Sequence, residues 1–209
     1  MINTQDQDQL FKLISNYLDK DITCYALGGT AMMYYGFKNI TKDIDLVFDT
    51  ASDRGALIRA VLRLGYKEQS IKGIFPERGI SKPVMLSRGE ERFDLFLKDI
   101  FGFIISQDFK ANFFARHDYI GKKEFIIKVL PKEAIILLKA ATGREKDFED
   151  IRAIIEQDKD IDWDRIVDEA IHQCKVNPWI LLDVEEIMQK LKTVAFIPSR
   201  LFERIYKAK

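Results

Sequence analysis

The sequence predicts an α/β fold: a mixed sheet flanked by helices, followed by a helical C-terminal region. Three observations predict it. Leu10, Leu13, Ile14 and Tyr17 recur at helical spacing near the N-terminus. Short apolar runs bounded by turn residues follow, such as residues 23–27 ahead of Gly28-Gly29. Beyond residue 131 only helical stripes remain, such as Trp163, Ile166, Val167, Ala170, Ile171 and Cys174.

The elements follow in order. The first helix is expected over residues 4–19 and the first strand over 23–27. A short helix over residues 30–35 ends at Gly36, and residues 44–48 form a second strand. Leu57, Ile58, Val61 and Leu62 mark an amphipathic helix over residues 52–64, with Gly65 as its stop. Strands are expected at residues 72–75, 83–87 and 92–97. The phenylalanine-rich stretch 101–114 shows no clear element, and its rings read as core rather than as a platform for bases. Residues 125–130 read as a strand, and Pro131 suits the first position of a helix running to Thr142 and stopped by Gly143. Helices then start at Asn177-Pro178 and at Ser199. This gives a core over residues 1–130 and a helical region over 131–209 packed on it.

Composition narrows the function classes. The chain has 209 residues, 47% of them hydrophobic, enough for a real core. Lys+Arg 33 balances Asp+Glu 33, which argues against a protein that lives by non-specific nucleic-acid binding. Cys24 and Cys174 stand alone, outside any metal-type pair, and read as core residues of a reduced, cytoplasmic protein. No apolar run is long enough to span a membrane, and the polar residues 1–9 are not expected to form a signal peptide.

The residues that carry chemistry cluster early. In Thr41-Lys42-Asp43-Ile44-Asp45-Leu46, strand alternation puts Asp43 and Asp45 on one face and Ile44 and Leu46 on the other. Two carboxylates held close repel, and a divalent cation removes that cost. Hard oxygen ligands of this kind suit Mg²⁺ or Mn²⁺. Asp94, in Arg92-Phe93-Asp94-Leu95-Phe96, is an acid inside an apolar strand and needs a partner. If the two strands are neighbours, three carboxylates converge; otherwise Asp94 is an edge acid facing water. The same D-x-D spacing occurs at Asp6/Asp8, Asp158/Asp160, Asp160/Asp162 and Asp162/Asp164, where solvated acids and helix caps are the better reading. Gly28-Gly29, between a strand and a helix, lets backbone N–H groups approach a phosphate.

Taken together, Gly28-Gly29, Gly36 and Thr41-x-Asp43-Ile44-Asp45-Leu46 resemble the first motif of the DNA polymerase beta-type nucleotidyltransferase superfamily. Within it the chain is similar to the minimal branch that includes AbiEii-type toxins. Asp94 matches the third carboxylate, and Lys139 with Arg144-x-Lys146-Asp147-x-x-Asp150 matches later motifs. Two positions depart from the usual pattern: Gly29 stands where many relatives carry serine, and Asn39 where they often carry arginine.

The resemblance implies a nucleotidyltransferase fold and transfer of an NMP from an NTP to a hydroxyl acceptor, with two Mg²⁺ (or Mn²⁺) ions held by Asp43, Asp45 and Asp94. Asp94 would also take the proton of the acceptor hydroxyl. Gly28, Gly29, Thr30, Thr41, Lys42, Lys139, Asp147 and Asp150 would bind the nucleotide. The acceptor would be RNA, tRNA among them, or a protein, and the chain would be the toxin of a pair with a cognate antitoxin. The competing expectation is a catalytically inactive domain of the same fold that binds a nucleotide or a partner. On the residues alone, Lys139 is as well explained by snorkelling beside Leu138, and Arg144, Lys146, Asp147 and Asp150 by helix surface pairs. Arg200, Arg204, Lys207 and Lys209 read as a solvated helix face.

Overall fold

The computed structural model describes residues 1–70 and 82–209. The strand expected at residues 72–75 lies outside the described residues. The fold is α/β, as its order shows: β1 (Ile2–Asn3), α1 (Thr4–Ser15), β2 (Ile22–Ala26), α2 (Gly28–Tyr35), β3 (Ile40–Thr41), β4 (Asp43–Phe48), α3 (Ala51–Arg63) and β5 (Lys67–Gln69) come first. Then come β6 (Val84–Arg88), β7 (Glu91–Leu97), β8 (Asp99–Ile100), β9 (Phe103–Ile104), α4 (Gln107–Ala111), β10 (Ala115–Ile120) and β11 (Glu124–Val129). The chain closes with α5 (Lys132–Thr142), α6 (Glu145–Gln157), α7 (Trp163–Gln173), α8 (Ile180–Leu191) and α9 (Ser199–Ala208).

The main sheet runs β10-β11-β2-β4-β7-β6-β5 and is mixed. β11 pairs parallel with β2, and β4 parallel with β7, while the β2–β4 and β6–β7 pairs are antiparallel. Residues in register share a face. Phe125 is opposite Ile22, Ala26 opposite Leu46, and Leu46 opposite Leu95. All five side chains are therefore on one side, and all are buried. Phe11 of α1 meets that side edge-on at Phe125, with ring centroids 5.5 Å apart. Helix α3 packs there too, against β2, β4 and β7. This is the core, and deleting a ring such as Phe11 would cost about 3–5 kcal/mol.

The other face is covered only in part. Phe101 packs edge-on against Phe96, and Lys110 of α4 reaches over the Tyr25 ring, so the 98–114 segment shields one end. Asp43 and Asp45 of the first half of β4 and Asp94 in the middle of β7 lie on this face, beside the start of α2. Helix α5 packs on α2 and on α6, α7 and α8, so the C-terminal helices share the apolar core of the sheet.

Several local readings change. Helix α1 starts in a capping box between Asn3 and Asp6 and ends at Ser15, four residues short of the expected limit. Helix α2 starts at Gly28 itself. Pro131 is the N-cap of α5 rather than its first residue. The stretch 101–114 holds β9 and α4, and Phe103 and Phe109 are fully buried there. Strand β10 was not expected. Its six residues, Ala-Arg-His-Asp-Tyr-Ile, alternate in exposure but form no apolar run, which suits a sheet edge.

Candidate active site

Strand pairing builds the site. In the β4–β7 register Asp45 is directly opposite Asp94, and Asp43 is opposite Arg92. The parallel alignment puts all four side chains on the open face. Asp94 is 3% exposed, on a strand flanked on both sides, so the edge-acid reading is excluded. Asp43 and Asp45 are partly exposed. Burial pushes Asp45 up to about 7; Asp94 and Asp43 add repulsion, and Lys139 and Arg92 oppose it. Burial likewise raises Asp94 to about 6, with Arg92 opposing and Asp43 adding. The cluster has more negative charge than its surroundings neutralise.

The glycine turn is shaped around these acids. Gly28 adopts φ +55°, and a Cβ there would lie 2.5 Å from Asp45 Oδ2. Only glycine lets the start of α2 approach the carboxylate so closely. A Cβ on Gly29 would lie 2.6 Å from Thr41 Oγ1. That gives Gly29 a physical reason: any larger residue there, serine included, would collide with the Thr41 hydroxyl. Thr30 is fully buried, and its Oγ1 accepts the Asp45 N–H at 2.9 Å. Its hydroxyl therefore fixes the strand. Thr41 Oγ1 donates to the Asp43 carbonyl at 3.0 Å and has the same kind of role. Lys42 is exposed.

Arg92 is the residue that reading the sequence missed. Its Nη2 lies 2.7 Å from Asp43 Oδ2 and 2.9 Å from Asp94 Oδ2. The available signal was its position two residues before Asp94, hence on the same strand face. Among the described residues, no group of three His, Cys, Asp or Glu side chains stands ready to hold a metal ion. Here a guanidinium stands between two of the three acids. The donor set itself fits a hard divalent cation: the three carboxylates offer only oxygen, and Asp94 Oδ1 is buried without a hydrogen-bond partner.

A second ionic cluster lies behind the first. Gly143, with φ +62°, ends α5 and turns the chain into α6. The turn brings Lys139, 7% exposed, onto two acids of α6. Its Nζ is 3.0 Å from Asp147 Oδ1 and 2.6 Å from Asp150 Oδ2. Asp147 also accepts from the Thr142 hydroxyl at 2.6 Å and from Arg144. Asp150 pairs with Lys38 at 3.0 Å. Burial alone would raise both acids, but Lys139 and the other donors outweigh it and hold both below the ordinary carboxylate range. Lys139 thus does not snorkel, and Asp147 is buried rather than a surface acid. The cluster still touches the site electrostatically, since Lys139 acts on Asp45 and Lys146 on Asp94.

The remaining candidates are accounted for by structure. Asp6 and Asp162 cap helices, Asp158 pairs with Lys132 at 2.6 Å, and Asp8 accepts from Tyr119 at 2.5 Å. Asp164 pairs with Arg200 at 2.5 Å and with Arg204 at 2.8 Å, which neutralises that basic edge. His117 stacks on Tyr34 with centroids 4.2 Å apart, and His172 is exposed. Among the described residues no helix is long and apolar enough to cross a membrane.

The chain matches no known family model, and no curated protein matches it in sequence.

Proposed function

We propose that the protein is a metal-dependent nucleotidyltransferase that moves an NMP from an NTP to a hydroxyl acceptor, the acceptor oxygen bonding to the α-phosphorus as pyrophosphate leaves. The observation that carries this reading is the in-register pair Asp45–Asp94, with Asp43 beside it and the Gly28 turn packed on Asp45 Oδ2. A carboxylate cluster, raised by its own burial and with one orphan oxygen, has a cost that a bound cation would remove. Asp43, Asp45 and Asp94 would hold Mg²⁺ or Mn²⁺. When bound, the ions supply positive charge to the triphosphate and the acceptor oxygen.

The chain's own residues do the rest. Gly28 and Gly29, at the start of α2 and partly exposed, offer backbone close to the acids and would take phosphate oxygens. Thr30 and Thr41 hold the backbone of β4 and so position Asp45 and Asp43. Asp94, the third carboxylate of the cluster, would take the acceptor proton. Lys139 acts at one remove: fixed by Asp147 and Asp150, it adds positive potential at Asp45 rather than a direct phosphate contact. With this reading come the nucleotidyltransferase fold, a cytoplasmic place of action, an RNA or protein acceptor and a cognate antitoxin.

A second reading has one observation in its favour. Arg92 seated between Asp43 and Asp94 would suit an inactive module in which a guanidinium has replaced the metal. One experiment separates the two: each of the four α-labelled NTPs is offered with Mg²⁺ to total RNA, to a protein extract and to the enzyme itself, beside Asp43→Ala. Label moving from one NTP, and falling more than about 100-fold in the variant, supports transfer. No label on any acceptor, with nucleotide binding intact, would favour the inactive module.

A further inference from the structure

We propose that Arg92 is the resident counter-cation of the acid site, and that a divalent ion binds there only by displacing its guanidinium. The inference rests on the reading that Asp43, Asp45 and Asp94 form a metal site. It adds what holds that site when no metal is present, and what sets its affinity.

Strand register places Arg92. It lies opposite Asp43 and two residues before Asp94 on the same strand face, so its side chain enters between the two carboxylates. One nitrogen, Nη2, serves both acids, at 2.7 and 2.9 Å. A cation bridging Asp43 and Asp94 would occupy the same space, so the two are mutually exclusive. The guanidinium is also held loosely for its chemistry. Arginine binds carboxylates best through two parallel N–H bonds. Here Nη2 is the nitrogen nearest both acids and the one that hydrogen-bonds Asp94, Nε is buried with no hydrogen-bond partner, and Asp94 Oδ1 is buried with none either. A pair that leaves a donor and an acceptor of its own two members unsatisfied is not the best that these groups can make. A divalent ion would engage the orphan oxygen and bring twice the charge. The way out is open, because the Arg92 side chain is 33% exposed and the Asp43 side chain 27%.

The consequence is a site whose metal affinity is lowered by its own arginine. Removing a competing internal cation strengthens metal binding; removing a residue that merely supports the site weakens it. The two roles predict opposite signs.

The test is Mn²⁺ binding to the full chain, read as loss of the free-ion paramagnetic resonance signal, with no nucleotide present. Arg92→Gln is expected to bind Mn²⁺ at least about 10-fold more tightly than wild type, and the gain to vanish when Asp45→Asn is added. In the wild-type chain, the Arg92 Nε–H resonance should shift on Mg²⁺ titration with the midpoint of metal binding, a readout that needs no variant to fold. Wild-type binding with Arg92→Gln equal or weaker, or an Arg92 signal unmoved by saturating Mg²⁺, overturns the inference and leaves the metal site standing. No Mn²⁺ binding by either protein overturns both.

Discussion

Two groups of acids, each built around a buried one, sit close together in this protein, and the fold treats them in opposite ways. Around Lys139, every charge is answered: Asp147 has three donors, Asp150 has two lysines, and both acids are held below the usual range. Around Asp94, one guanidinium serves two of the three acids, an oxygen is left without a partner, and Asp45 and Asp94 are raised. A satisfied cluster fixes structure. An unsatisfied one has a cost that a ligand can remove, so the difference separates the brace of the site from the site itself.

The sharpest way to break the contrast is to mutate one acid in each cluster. Asp147→Ala leaves the buried Lys139 with Asp150 alone and takes the acceptor from Thr142 and Arg144, so a loss of about 3 kcal/mol is expected in equilibrium denaturation. Asp45→Asn removes a charge that burial already disfavours. The metal-free variant should be at least as stable as wild type at pH 8, while metal-dependent transfer disappears. A stability loss for Asp45→Asn as large as that for Asp147→Ala would erase the distinction.

The pH dependence of the metal-free chain should show both signs, with an intermediate effect. Asp147 and Asp150 have lowered values when folded, so their contribution is present above the ordinary carboxylate range and is lost as pH falls through and below it. Asp45 and Asp94 have raised values, near 7 and 6, so the folded chain holds protons that the unfolded chain has released. Their contribution is present at low pH and is lost as pH rises from about 4 through about 7. Thermal denaturation in chelator should therefore peak in mildly acid buffer. Asp45→Asn should flatten the decline toward pH 8 and leave the acid limb unchanged.

The smallest expected effect tests the glycine turn between the clusters. Gly29→Ser adds a Cβ that meets Thr41 Oγ1 at 2.6 Å. A loss of about 1–3 kcal/mol is expected. Adding Thr41→Ala should recover part of it in the same denaturation assay. A Gly29→Ser protein as stable as wild type would mean that Thr41 yields freely.

How much of this was legible differs from residue to residue. Asp43 and Asp45 could be paired on one face from spacing alone, because strand alternation is local. Gly28-Gly29 could be read as a turn for the same reason, though not that its missing Cβ atoms make room for Asp45 and Thr41. Strand β10 was hidden because an edge strand with charged outward residues carries no apolar run. Lys139 and Asp147 are eight residues apart, joined through the Gly143 turn; alone, Lys139 was as consistent with snorkelling and Asp147 with a surface pair.

By itself, then, the sequence determined the fold class, the order of the main elements and the two acids of β4. These follow from periods of two and 3.6 residues and from the residues that stop them. Only the tertiary structure decided that Asp94 faces Asp45, that Arg92 stands between the acids and that Lys139 is held away from them. Those facts depend on which strands pair and in what register, and on how α6 folds back on α5, both set by contacts between distant parts of the chain.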